Sequence, residues 1–298
     1  HIGASNAGTP MSLSQLTAPL RRDQAYALVD AVMEDGELAL TASAHEDAAT
    51  GEWVFEATCG QEPDLEAFRE LARTVLRGEV DFTVERIDPQ IDWVTRSLEG
   101  LKPVVAGGVY VYGGHDAGTP PAGLVPIHIE AAQAFGTGHH ETTTGCLEAI
   151  ARIARRRRIR SALDVGTGTG ILAIAIARRL HVPVVASDID PIAVRTARAN
   201  ARDNGAADMV LVRAAGLDHP RIAKGAPYDL IVANILAGPL VRLAPAICRA
   251  AARGGSLVLS GILTQQAPRV IAAYRTQGAV LSERLVRGGW TTVILERP

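Results

Sequence analysis

Three glycines at alternate positions, Gly166, Gly168 and Gly170, follow the apolar stretch Ser161 to Val165 and lead into a second apolar stretch, Gly170 to Leu180. A turn without side chains lets a ligand approach the backbone closely, so this spacing is suited to binding. Eighteen residues after Gly170, Asp188 closes another apolar run, Val184 to Asp188. A carboxylate there can accept hydrogen bonds from both hydroxyls of a ribose. Together these residues read as a strand, loop and helix that hold a nucleoside. A dinucleotide fingerprint needs its third glycine one place later, where Ile171 stands, so a pyrophosphate on the helix N-terminus is disfavoured. Asn234, near the end of the run 228 to 235, adds a side-chain carbonyl that can accept a hydrogen bond from a bound molecule, with the carbonyl of Ile235 as a second acceptor. No general base stands out.

The elements that must carry these groups alternate along the chain. Strands are predicted at 183–188, 209–215, 228–235 and 255–263, with helices at 191–205, 237–253 and 264–278. Such alternation implies a parallel sheet with crossover helices, an α/β doubly wound, Rossmann-like arrangement. Two last strands, about 279–286 and 290–296, meet at Gly288-Gly289, which suits a terminal antiparallel hairpin. Asp190-Pro191 supplies an N-cap and first-turn proline, and Asn204-Gly205 a C-cap, so Asp190 reads as a cap rather than a ligand.

The front half shows a different order: strand 12–18, helix 21–34, strands 37–45 and 52–58, helix 63–76 and strand 80–87. That is the order of a small α+β, ferredoxin-like domain. RNA-recognition modules share it, with Trp53 and Phe55 where stacking aromatics could stand. Charge argues against that use. Residues 11–88 carry 6 Arg and no Lys against 17 Asp plus Glu, a net of −11, whereas residues 89–298 carry 24 Lys plus Arg against 15 acids, a net of +9. A domain this acidic is suited to a basic protein partner and no direct nucleic-acid binding is expected, although the acids could serve solubility alone. Trp53 and Phe55 are assigned to the core or to a protein-binding face. Residues 1–10 read as a tag or processing scar, with Met11 the first native residue. The remaining divisions are 11–87 for the front domain, 88–125 for a linker helix and connecting segment, and 126–298 for the larger domain.

With 47% hydrophobic residues among 298, the chain has ample material for two cores. No apolar run reaches the roughly 18 residues needed to span a bilayer, so a soluble, cytoplasmic protein is expected, as a monomer. Cys59, Cys146 and Cys248 form no C-x-x-C pair, and His139-His140-Glu141 lacks the helical i, i+4 spacing of a zinc site, so no metal centre is expected. The one basic cluster, Arg155 to Arg158 with Arg160, reads as a helix end opposing the C-terminal dipole, or else as a face for RNA or an acidic surface.

Three glycines at alternate positions after an Asp-tipped strand resemble the S-adenosylmethionine-dependent methyltransferase loop. The segments Ala134-Phe135-Gly136-Thr137-Gly138-His139-His140-Glu141-Thr142-Thr143, Val232 to Leu240 and Leu259 to Leu263 narrow this further. With the glycine loop they resemble the PrmA family, bacterial methyltransferases of ribosomal protein L11, over about 126–298, while the front domain agrees in element order. The resemblance implies S-adenosyl-L-methionine as cofactor and ribosomal protein L11 as protein substrate. It also implies methylation of lysine side chains and of the N-terminal amine, and a front domain that recognises the substrate. Carried over by position, the cofactor-binding residues would be Thr143, Gly166, Gly168, Asp188 and Asn234, with Asn234 also the catalytic candidate. Where the family reads Phe-Gly-Thr-Gly-Thr-His-Pro-Thr-Thr, this chain has His139 for the threonine and Glu141 for the proline, but Thr142 and Thr143 keep register. Asp218 is the nearest acidic candidate for an adenine contact. The alternatives are a methyltransferase of the same fold acting on another protein or a small molecule, and a non-catalytic S-adenosylmethionine-binding interaction module.

Overall fold

The computed structural model describes residues 13–35, 38–39, 41–47, 50–59, 62–87, 103–113, 120–129 and 139–298. Residues 1–10, the expected linker helix over 88–101 and the segment 134–138 lie outside the described residues. The chain divides into two compact units, His1–Trp93 and Val94–Pro298.

In the first unit the elements run β1 Leu13–Leu20, α1 Arg22–Asp35, β2 Thr41–Glu46, β3 Trp53–Cys59, α2 Leu65–Leu76 and β4 Thr83–Ile87. The strands form one antiparallel sheet in the order β2-β3-β1-β4. Period-2 alternation turns Leu16 and Ala18 of β1 and Phe55 and Ala57 of β3 inward, and α1 meets them with Ala25, Leu28, Val29 and Val32 at helical spacing. Phe55, Phe68 and Phe82 pack edge to face, with centroids 6.2 Å and 5.8 Å apart. Trp53 shares the inward face with Phe55, beside Tyr26 at 5.4 Å and under the Arg22 guanidinium at 5.1 Å. Both aromatics belong to the core side of the sheet.

The second unit opens with a small sheet, β5 Val104–Ala106, β6 Val109–Tyr112 and β7 Val125–His128, followed by helix α3 His139–Arg156. The doubly wound part then runs β8 Ala162–Val165, α4 Ile171–Leu180, β9 Val184–Asp188, α5 Pro191–Asp203, β10 Val210–Arg213 and α6 Pro220–Gly225. It continues with β11 Tyr228–Asn234, α7 Ala237–Ala250, β12 Ala251–Leu263, α8 Ala267–Arg275, β13 Val280–Arg287 and β14 Trp290–Glu296. Sheet order is β10-β9-β8-β11-β12-β14-β13, with β14 antiparallel between β12 and β13. The hairpin turn falls at Gly288 and Gly289, both at positive φ, as the sequence indicates. Apolar layers line both faces of the sheet, one containing residues of α3, α4 and α5, the other residues of α6, α7 and α8. This is a doubly wound α/β sheet that ends in an antiparallel hairpin.

Several ends shift by a few residues from the sequence reading, as in α8 at 267–275 against 264–278 and β4 at 83–87 against 80–87, and two departures have a clear cause. The six-residue α6, capped by the His219 side chain on the Arg221 N–H and started by Pro220, is too short to show a helical period, and its span reads as a loop. Helix α7 stops at Ala250 rather than 253, because Ala251 is fully buried opposite Tyr228 and joins the sheet. Pairing overrides the helix propensity of Ala251-Ala252-Arg253. The caps fall as expected: the Asp190 carboxylate accepts from Ile192 N–H at 2.7 Å, and Gly205 turns the chain at φ 67° after Asn204.

Candidate active site

Strand β8 lies between β9 and β11, so the chain leaves the sheet in opposite directions on its two sides. The carboxyl ends at such a switch point form a crevice. Gly166 and Thr167 both donate N–H bonds to the Ser187 carbonyl, at 2.8 Å and 2.9 Å, which ties the loop to the end of β9. Gly168 N–H donates to Asp188 Oδ2 at 2.9 Å, and Asp190 N–H donates to Asp188 Oδ1 at 3.0 Å. Asp188 is half-buried, and each of its oxygens keeps lone-pair capacity toward solvent.

The three glycines have different reasons to be glycine. Gly166, at φ 71°, has its would-be Cβ in collision with Ile235 Cγ2. Gly168, at φ 55°, has nothing within 4 Å of that position, so its face is open to a ligand. Gly170, at φ 88°, would bring a Cβ to 3.2 Å from Ala197 Cβ, which makes it the contact that lets α4 lie against α5.

Asp164 has a place that sequence reasoning missed. Alternation in β8 puts Leu163 and Val165 on one face and Ala162 and Asp164 on the other, beneath α3 and α4. The carboxyl is 1% exposed. Its Oδ2 accepts from Thr167 Oγ1 at 2.7 Å and from Ala173 N–H at 3.2 Å, whereas Oδ1 has no partner among the described residues. Burial pushes its pKa up to about 7, the Thr167 hydroxyl and Ala173 amide oppose the rise, and the nearby Asp188 charge adds to it. One residue thus ties the glycine loop to the start of α4.

Helix α3 brings threonines to the same end of the sheet. Gly145 lets it approach closely, since a Cβ there would collide with Thr292 Oγ1. Cys146, whose thiol burial pushes up to about 12, lies between Asp164 and Ser260, and the Ser260 and Thr292 hydroxyls pair at 2.7 Å. Thr142, Thr143 and Thr144 are all buried. It is Thr142 that meets Asn234, with Nδ2 donating to Thr142 Oγ1 at 3.3 Å. Thr143 stands beside it in the same turn, and its side chain makes no hydrogen bond among the described residues. Asn234 lies opposite Ser260, and Ile235 N–H donates to the Ser260 carbonyl at 3.2 Å. The Ile235 carbonyl, a sequence candidate for a second acceptor, faces Gly261, whose would-be Cβ would stand 2.5 Å from that oxygen. Asp218 is exposed between β10 and α6. The structure therefore gathers Gly166, Gly168, Asp188 and Asn234 at one end of the sheet, with the α3 threonines at Asn234.

A parallel sheet with a reversed next-to-last position, a glycine loop at its switch point and an acidic side chain at the tip of the next strand define an S-adenosylmethionine-dependent methyltransferase. The family model for ribosomal protein L11 methyltransferase (PrmA) matches residues 22–298. The chain belongs to that family. A ribosomal protein L11 methyltransferase of Chelativorans is 47% identical over 284 residues, 94% of this chain and 96% of that one. That of Mesorhizobium japonicum is 44% identical over 291 residues, 97% and 99% of the two chains. Among solved structures, a ribosomal protein L11 methylase from Lactobacillus delbrueckii subsp. bulgaricus is similar at TM-score 0.59 and 29% identity, covering 66% of this chain and 99% of that one.

Proposed function

We propose that the enzyme transfers methyl groups from S-adenosylmethionine to amines of ribosomal protein L11, namely lysine side chains and the N-terminal amine. The observation that carries this reading is the family match from residue 22 onward, which includes the acidic first unit as well as the methyltransferase sheet. The residues present fit the cofactor. The Asp188 carboxylate is anchored by two backbone N–H groups yet open to solvent, and the face of Gly168 is unobstructed. In this assignment Asp188 accepts from the ribose hydroxyls, the Gly166 and Gly168 backbone borders the nucleoside, and Thr143 and Asn234 hold the methionine part. The cofactor supplies an electrophilic methyl group on a sulfonium.

The chain's own task is to present a neutral amine in line with that carbon. Alignment of this kind contributes about 7 to 11 kcal/mol. A lysine with a pKa near 10.4 needs about 4.6 kcal/mol to become neutral at pH 7, so desolvation and oriented acceptors must favour that form. Because Asn234 Nδ2 is engaged by Thr142, its Oδ1 is the atom left to accept an amine hydrogen. The proton leaves to solvent before transfer.

The first unit is read as a ferredoxin-like substrate-recognition domain over 11–87, which the strand order β2-β3-β1-β4 and the net charge of −11 over residues 11–88 support. The methyltransferase domain is taken to start before 126, near Val104, because Ala106, Val109 and Val111 share one core with α3 and α4, and the enzyme acts as a cytoplasmic monomer. Among the described residues no helix is long and apolar enough to cross a membrane. Mass spectrometry of purified ribosomal protein L11, after incubation with enzyme and S-adenosylmethionine, tests the reading. Mass increments of 14 Da on lysines or the N-terminus are expected, and an unmodified protein alongside turnover of another substrate rejects it.

A further inference from the structure

At the amino ends of β8 and β9, the end of the sheet away from the glycine loop, lies a cavity of about 400 Å³ lined by Arg157, Arg158, Arg160, Arg179, His181 and Pro183 among others. No Asp or Glu lines it. Two of the guanidinium groups are held by one buried carboxylate: Arg160 Nε lies 3.0 Å from Asp229 Oδ2, and Arg157 Nη2 lies 3.8 Å from Asp229 Oδ1 and donates to the Asp229 carbonyl at 3.0 Å. Arg158 and Arg179 are exposed and have no acidic partner among the described residues. The Arg179 guanidinium lies across Gly108, where a side chain would collide with it.

Four guanidinium groups against one carboxylate leave three positive charges. Helices α3 and α4 both end here, and two C-terminal dipoles of about half a charge each reduce the excess to about two. Capping alone does not account for the arrangement. Arg155 and Arg156 already occupy the last turn of α3, while Arg158 and Arg160 follow that helix, and Arg179 shares the last turn of α4 with Arg178, so each dipole already has cations of its own. Guanidinium forks match phosphate oxygens; a phosphate monoester carries nearly two negative charges at neutral pH, whereas backbone phosphodiesters carry one each, so two neighbouring ones match the same excess.

We propose that this cavity is an anion site for a phosphoryl group, separate from the cofactor crevice and formed by Arg158 and Arg179 together with the Arg157 and Arg160 pair that Asp229 holds in place. It stands independently of which amine the enzyme methylates. The phosphoryl group can come from a free phosphate compound or from a nucleic-acid backbone, and the same experiment separates these.

Pyrophosphate and a 20-nucleotide single-stranded RNA are titrated into the full chain at constant ionic strength, by calorimetry and fluorescence anisotropy, and into an Arg158→Ser/Arg179→Ser variant. Neither substitution leaves a carboxylate unpaired, and unchanged S-adenosylmethionine affinity verifies the fold. At least tenfold weaker pyrophosphate binding in the variant supports the site. If RNA binds tenfold more tightly than pyrophosphate, and its affinity falls with salt and with the substitutions, the backbone is the source; otherwise a free phosphate compound is. If the double variant loses cofactor affinity, Arg158→Ser alone replaces it, with at least threefold weaker binding expected. Failure of the wild-type chain to bind either probe at millimolar concentration, or unchanged binding by the variants, overturns the proposal.

Discussion

Replacing Asp164 by Asn should change the pH dependence of stability in a way that its burial determines. The folded carboxyl holds its proton up to about pH 7, while the unfolded one releases it near 3.8. Across that window the folded state binds more protons, so the contribution of this group to stability falls as pH rises. A shift of about three units corresponds to about 4 kcal/mol, of which about 2 to 3 kcal/mol is lost between pH 5 and pH 8. Asp164→Asn removes the titration but keeps an oxygen for Thr167 and Ala173. Its new amide N–H groups would occupy the place of the unpartnered Oδ1, at a pH-independent cost of about 1 to 3 kcal/mol. The two free-energy curves should therefore converge with rising pH. Urea unfolding in a Trp53→Phe/Trp93→Phe background, where Trp290 is the remaining tryptophan, reports on the second unit alone. Wild-type and variant curves that stay parallel within about 0.5 kcal/mol from pH 5 to pH 8 would refute the reasoning.

Asp188→Ala should weaken binding of both S-adenosylmethionine and S-adenosylhomocysteine by about 1.5 to 3 kcal/mol through loss of charge-assisted hydrogen bonds; calorimetry showing no loss would reject the ribose assignment. Gly166→Val, with a β-branched side chain at φ 71° driven into Ile235, should abolish cofactor binding, and retained affinity by calorimetry counts against the loop geometry. Asn234→Ala should lower the rate of methyl transfer more than it lowers cofactor affinity, whereas equal losses assign Asn234 to holding the methionine part. A chain starting at residue 89 should keep cofactor affinity but nearly lose methylation of the ribosomal protein, and in the whole chain the electrostatic part of capture should weaken with salt, because charges more than about 8 Å apart are screened at physiological ionic strength. Equal methylation by the truncated chain would remove the recognition role from the first unit.

What the sequence made legible was local. The alternation of apolar runs, the glycine spacing and the Gly288-Gly289 turn each lie within a few residues, and the sheet, the loop and the hairpin follow from them. Asp188 and Asn234 were legible because each ends an apolar strand, where a polar side chain has no core to enter. Thr142 and Thr143 are adjacent on α3, and only the packing of that helix over β12 and β14 decides that Thr142 touches Asn234.

Asp164 was hidden for the opposite reason. A carboxylate two residues before the first glycine reads as the polar tip of an apolar strand, yet the pleat directs it inward beneath a helix whose Cys146 comes from earlier in the chain. Strand alternation alone would have placed it opposite Leu163 and Val165, since a one-residue step reverses the face. What alternation cannot supply is what covers that face. That depends on α3 crossing at Gly145, with Cys146 between Asp164 and Ser260 and with Ser260 bonded to Thr292, contacts that join three distant parts of the chain. The crevice is thus built from local motifs whose relative placement is fixed by non-local packing. The pH response of Asp164 reports on that packing because it arises from burial under α3 and α4 rather than from any neighbour in sequence.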